Sequence, residues 1–298
     1  MMPSGSVALR THAPAATDAL EHAVAATWNM SAERGVLELM AEAARRCAEI
    51  HGLVPLEPPM PVGAPSPGEH SEAVFAFAEQ CTTDVAAVTP EQRAAFLGAA
   101  GPAVGDLAAA LWVVDFVPRT RAALDALTGP GRWPDQVDPD VGPDLWGALD
   151  GLIRTIPALD ALDPVTSELI RLRGARQHDC RLCQSLRSRP ALLAGADEST
   201  FAAVDHYGNS DLSPLARAAL TFTDAMIWTP GHLEPGTVAG LAGLATPAQQ
   251  VELVLDVTRN ALNKIAVALA ADAAHVEDGF EIYDVEPDGS LVYGLTLR

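Results

Sequence analysis

Apolar residues recur at helical spacing along most of this chain, and two-residue alternation is nearly absent before the C-terminal segment, so the pattern predicts an all-α protein. Residues 31–51 read as one amphipathic helix, with Val36, Met40, Ala43, Ala44, Cys47 and Ile50 on a stripe and Gly52 placed to stop it. A Pro-rich stretch, 55–68, separates it from helices over 70–84, 90–100 and 104–127, the last kinked at Pro118. The Gly/Pro/Asp-rich stretch 129–143 is a second break. Beyond it Asp163-Pro164 starts a helix, Asp179 caps the next, and further helices are predicted over 215–228, 235–244 and 247–275. The end of the chain changes period: 280–285 and 290–295 alternate around Pro287-Asp288-Gly289, which predicts a small C-terminal β-hairpin.

The pattern also repeats. Residues 73–80, 90–92 and 107–127 run in parallel with 218–225, 235–237 and 253–272, and Phe77 to Pro90 has the same spacing as Phe222 to Pro235. Two related helical halves follow, 1–145 and 146–298, with the hairpin closing the second.

Composition narrows the function. With 49% hydrophobic residues over 298 positions the chain can bury a sizeable core, and no stretch reads as an uninterrupted membrane span. A net charge of -20 argues against nucleic acid or an anionic membrane surface as partner. The first residues lack a basic and then apolar leader, from which a cytoplasmic location is expected. Yet six of the eighteen arginines, Arg171, Arg173, Arg176, Arg181, Arg187 and Arg189, crowd between Glu168 and Pro190, which predicts a local positive field.

Two of only four cysteines, Cys180 and Cys183, sit in that field as a Cys-x-x-Cys clip at a predicted helix start. Unpaired backbone N–H groups there favour thiolate over thiol, and two thiols at this spacing can bond to each other, so the clip points to redox chemistry. A tetrahedral zinc site needs about four ligands, and no second Cys/His pair has the spacing to complete one. Glu168 either pairs with Arg171 on the same helical face or relays protons. Arg187, four positions after Cys183, is expected to stabilise its thiolate by charge, and His178 to supply an exchangeable proton.

The string from Glu168 to Cys183 resembles the alkylhydroperoxidase D / carboxymuconolactone decarboxylase superfamily, over about residues 164–275 and more weakly in the first half. Its peroxidase branch carries Glu-x11-Cys-x2-Cys-x3-His; this chain has every element but the last, where Arg187 stands. The resemblance implies Cys183 as the peroxidatic cysteine, Cys180 as the resolving one and Glu168 on the proton path. It also implies a small-molecule hydroperoxide as substrate, an external dithiol reductant, homo-oligomers, and neither metal nor organic cofactor. In the first half, Cys47 and His51 match the second cysteine and the histidine of a degenerate site. Read from their own surroundings, Cys47 is a packed small residue and His51 a helix-end dipole partner. Arg259, Asn260, Asn263 and Lys264 interrupt an apolar helix and are expected at a helix or subunit contact. The rival readings are a lyase or isomerase acting on a small acid or lactone, and a non-enzymatic, redox-responsive helical scaffold.

Overall fold

A computed structural model describes residues 4–63, 65, 68–134 and 144–297. The described part is mostly helical with a small three-stranded sheet. In chain order the helices are α1 (Gly5–His12), α2 (Pro14–Glu33), α3 (Leu37–His51), α4 (Glu69–Asp84), α5 (Pro90–Ala100), α6 (Val104–Thr128), α7 (Leu145–Thr155), α8 (Pro164–Gln177), α9 (Arg181–Gln184), α10 (Arg189–Leu193), α11 (Glu198–Ala202), α12 (Pro214–Trp228), α13 (Pro235–Ala242), α14 (Pro247–Ala261) and α15 (Lys264–Ala268). The strands are β1 (Leu186–Ser188), β2 (Glu281–Val285) and β3 (Leu291–Leu295).

Local chemistry sets many of the starts. Thr89 and Thr246 each accept from the backbone N–H three residues on, at Gln92 and Gln249, whose side chains return the bond, and a proline follows each threonine. Asp163 caps α8 by accepting from Val165 N and Thr166 N. Helix α6 is buried on every side from Leu107 to Thr120, Pro118 included, and packs against α1, α3 and α14. Contrary to the sequence expectation, 90–128 does contain a run long and apolar enough to cross a membrane by length and composition, and half of its most apolar window is buried inside the protein. One hydrophobic core runs through residues of both halves, and α7 lies along α2. A smaller cluster, with Leu169, Leu172, Phe201, Val204 and Leu220, fills the space among α8 and α10–α12.

Two long helices of the sequence reading are broken. Residues 31–33 end α2, because Gly35 takes a left-handed φ of 67° before α3 begins at Leu37. The expected 247–275 helix stops at Ala261, where the Asn263 side chain donates to Asn260 O and competes for a helical acceptor. A short α15 follows, ended by Ala270 at φ 55°, and the chain then runs without helix to β2. The break at 129–143 is irregular as far as Pro134; its remainder, 135–143, lies outside the described residues.

The hairpin forms as its alternation predicts, β2 antiparallel to β3, with Val285 opposite Leu291 and Gly289 at φ 80° in the turn. The sequence gives no sign of its third strand. β1 pairs parallel with β2, setting Ser188 opposite Tyr283, and so carries the hairpin to the loop after Cys183.

Candidate active site

Helix α8 presents Glu168 and Arg171 on one face, three residues apart. Arg171 Nε and Nη2 donate to the two Glu168 carboxylate oxygens at 2.6 and 2.7 Å, a paired fork that suits guanidinium and carboxylate. Glu168 is buried and accepts two further bonds, from Ser188 N and from the Tyr283 hydroxyl, each at 3.1 Å. Arg171 also donates from Nη1 to Cys183 O and from Nη2 to Leu186 O, both at 2.8 Å. The pairing of Glu168 and Arg171 therefore holds the carbonyl end of the cysteine turn as well as α8.

After Gln177 the chain reverses through Asp179, a non-glycine residue at φ 49°, and Cys180 N returns to Ala175 O. Asp179 does not cap α9; Cys180 does, its Sγ accepting from Cys183 N at 3.2 Å. Cys180 and Cys183 are joined as a disulfide with Cα atoms 5.3 Å apart, and both are buried. Asp272 fixes the turn from outside, accepting from Arg181 N and its guanidinium. Burial opposes ionisation of the Asp272 carboxyl, but Arg181 holds it below its ordinary range.

Two cavities meet beside this turn. The smaller, about 120 Å³, is lined by Cys183 with Arg171, Arg259, Asn260, Tyr283 and Tyr293. The larger, about 340 Å³, shares Arg171, Arg259, Asn260 and Tyr283 and extends past Ser167, Glu252 and Asp256 to apolar residues of the 156–164 segment. Cys180 lines neither among the described residues. Burial, then the neighbouring Glu168 carboxylate, raises the Tyr283 hydroxyl well above its usual range and keeps it protonated. Burial next to Glu252 pushes Asp256 up to about 7.

Other sequence candidates lie elsewhere. Arg187 is not on a helical face with Cys183, because α9 ends at Gln184 and Arg187 belongs to β1. Its guanidinium pairs with Glu198 at 2.8 Å and lies over Phe201 and Phe280. His178 is buried with no partner for Nε2; burial, then Lys264 and Arg119, push its pKa well down, so near neutral pH the ring carries no acid proton to give. The predicted positive field is neutralised as well. Arg171, Arg173, Arg176, Arg181, Arg187 and Arg189 pair with Glu168, Asp224, Asp205, Asp272, Glu198 and Asp284.

The counterpart residues of the first half surround a buried ion cluster. Asp115 accepts from Arg119 at 2.6 Å and from Lys264 at 2.5 Å, and Arg119 Nη2 also reaches His51 Nε2 and Thr82 O. Burial raises the Cys47 thiol to about 12, which suits a packed residue rather than a nucleophile. Lys264 thus joins α15 to α6, the interface role expected of it, whereas Arg259 and Asn260 face the cavities. Tyr283, Asp256 and the cavity role of Arg259 escaped the sequence reading. The polar interruption of α14 marked Arg259 as unusual, but only the return of the hairpin through β1 shows what it faces.

Fold and site together define a helical protein with a buried cysteine pair set against a polar recess. The chain is 41% identical over 249 residues to two Mycobacterium tuberculosis proteins, Uncharacterized protein MT2376 of strain CDC 1551 / Oshkosh and Uncharacterized protein Rv2313c of strain ATCC 25618 / H37Rv. The alignments cover 79% of this chain and 86% of each relative, and the chain belongs to their family. No family model matches it, and no solved structure does.

Proposed function

We propose that this protein is a thiol-dependent peroxidase of the alkylhydroperoxidase D-like type, cycling between a Cys180/Cys183 dithiol and the disulfide. The observation that carries the reading is the position of Cys183: it bonds to Cys180 and lines a cavity with Tyr283 and Arg259, while Cys180 stands behind it. In this reading the Cys183 thiolate attacks the outer peroxide oxygen and the O–O bond breaks. The alkoxide leaves with a proton from the Tyr283 hydroxyl, which Glu168 orients and which solvent reprotonates. Cys180 then condenses with the Cys183 sulfenic acid, releasing water and forming the disulfide, and an external dithiol supplies two electrons to reopen it. Arg187 and His178 have no place in this cycle. Support for two related halves comes from the order α4–α5–α6 and α12–α13–α14, in which the middle helix of each set opens on a proline.

Hydroperoxide consumption with dithiothreitol tests the proposal. Wild-type protein should turn over, Cys183→Ser should lose turnover, and Cys180→Ser should react once and hold a sulfenic acid that dimedone traps. Wild-type protein that leaves both hydrogen peroxide and an alkyl hydroperoxide intact would refute it.

A further inference from the structure

The larger cavity carries a carboxyl oxygen and a guanidinium end that the protein leaves unpaired: the Asp256 carboxyl takes a hydrogen bond from Ser167, and Arg259 spends one N–H on backbone. Asp256 Oδ2 is shut off from solvent and has no hydrogen-bond partner. One helical turn further along α14, Arg259 donates only from Nε, to Ile153 O at 3.1 Å, and among the described residues no carboxylate comes within ion-pair distance of it. The other charges on the wall are committed. Glu252 accepts from Ala161 N and Leu162 N, Asp284 pairs with Arg189, Glu168 is filled by Arg171, and Asp160 stands exposed. Interiors seldom leave polar groups idle, and a carboxyl and a guanidinium on one face that do not close on each other complement a ligand bearing both charges, whose ammonium would draw the Asp256 carboxyl into its ionised form. A volume of about 340 Å³, with Ile156, Leu159, Leu162 and Pro190 opposite, suits a small molecule rather than a peptide chain.

We propose that this recess binds a small α-amino-acid-type thiol, carboxylate on Arg259 and ammonium on Asp256, and that this zwitterion is the electron donor to the Cys180–Cys183 disulfide. The inference rests on the redox reading above. The donor thiolate attacks Cys183 Sγ and the bond to Cys180 breaks; Cys180 leaves as a thiolate and takes the proton the donor lost. A second donor molecule attacks the donor sulfur of the mixed disulfide, releasing Cys183 as a thiol and a donor disulfide. Two donor thiols are oxidised and one protein disulfide is reduced.

The test compares L-cysteine with cysteamine, which lacks the carboxylate, with mercaptopropionate, which lacks the ammonium, and with dithiothreitol, which carries neither. Reduction of the oxidised protein is followed by mass shift, and each rate is divided by that thiol's rate on a small aromatic disulfide. L-Cysteine should lead both truncated thiols by about tenfold, the effect of one charge contact. Arg259→Gln should cut its normalised lead over dithiothreitol to that of cysteamine, Arg259→Lys should restore part of it, and Asp256→Asn should cut it to that of mercaptopropionate. Calorimetry with S-methyl-L-cysteine, which cannot exchange, should detect binding to wild type and none to Arg259→Gln. If dithiothreitol supports peroxide turnover but the thiols rank equally and S-methyl-L-cysteine does not bind, this proposal is overturned and the peroxidase reading stands. If S-methyl-L-cysteine binds but no thiol opens the disulfide and no peroxide is consumed, both fall.

Discussion

Asp256 bears on stability as well as on binding. Its carboxyl is pushed up to about 7 by burial beside Glu252, so the folded protein holds a proton that the unfolded chain gives up near the ordinary carboxyl value of 3.8. Between those two values the folded state binds more protons, and stability falls as pH rises through the window, by ~4 kcal/mol at most. Asp256→Asn removes the titration. Thermal midpoints of wild type and variant should agree near pH ~4 and separate by pH ~8, with the variant higher. The pairing of Glu168 with Arg171 was legible in the sequence, because it needs only three-residue spacing on a helix. Tyr283 was not, since it reaches Glu168 only through the register of a three-residue strand. Arg187 was misplaced for the converse reason: helical spacing was extended past Gln184, where the helix had already ended.

Helices α8 and α14 pack on each other and frame the recess, and where Asn260 of α14 meets α8 the facing residue has no side chain. A Cβ on Gly174 would meet Asn260 Oδ1, a side chain that lines both cavities. Glycine to alanine inside a helix ordinarily gains about 1 kcal/mol, as Gly240→Ala on open α13 should. Gly174→Ala should instead lose ~1–3 kcal/mol, because Asn260 has to move; chemical denaturation of the two variants reads the opposite signs. Helix starts were easy to place from Thr89-Pro90, Thr246-Pro247 and Asp163-Pro164, whose caps are local. The stops at Gly35 and Asn263 were harder. A turn residue or a polar interruption there leaves the apolar stripe continuous on either side, and the backbone breaks through local geometry, the positive φ of Gly35 and the Asn263 side chain on Asn260 O, that hydrophobic spacing does not register.

At the scale of the molecule, mostly helical character and the terminal hairpin were readable from period alone, whereas the charge picture was not. The carboxylates that neutralise five of the six clustered arginines, at Glu198, Asp205, Asp224, Asp272 and Asp284, lie beyond the cluster in sequence and arrive only when the chain folds. The cation at the centre is rarer still. Lys264 is the one lysine in the chain, and it lies buried against Asp115 between α15 and α6. Burial, only partly offset by Asp115, lowers its pKa, so opening returns the amine to its ordinary range as well as to solvent. An acylating reagent at neutral pH should therefore leave position 264 of the native chain untouched until the two helices part. Mass-resolved labelling at that position, followed against denaturant, should trace the same midpoint as circular dichroism if the core opens as one unit, and an earlier one if α15 detaches first. A lone lysine side chain makes the protein its own reporter of unfolding, with no engineered tag required.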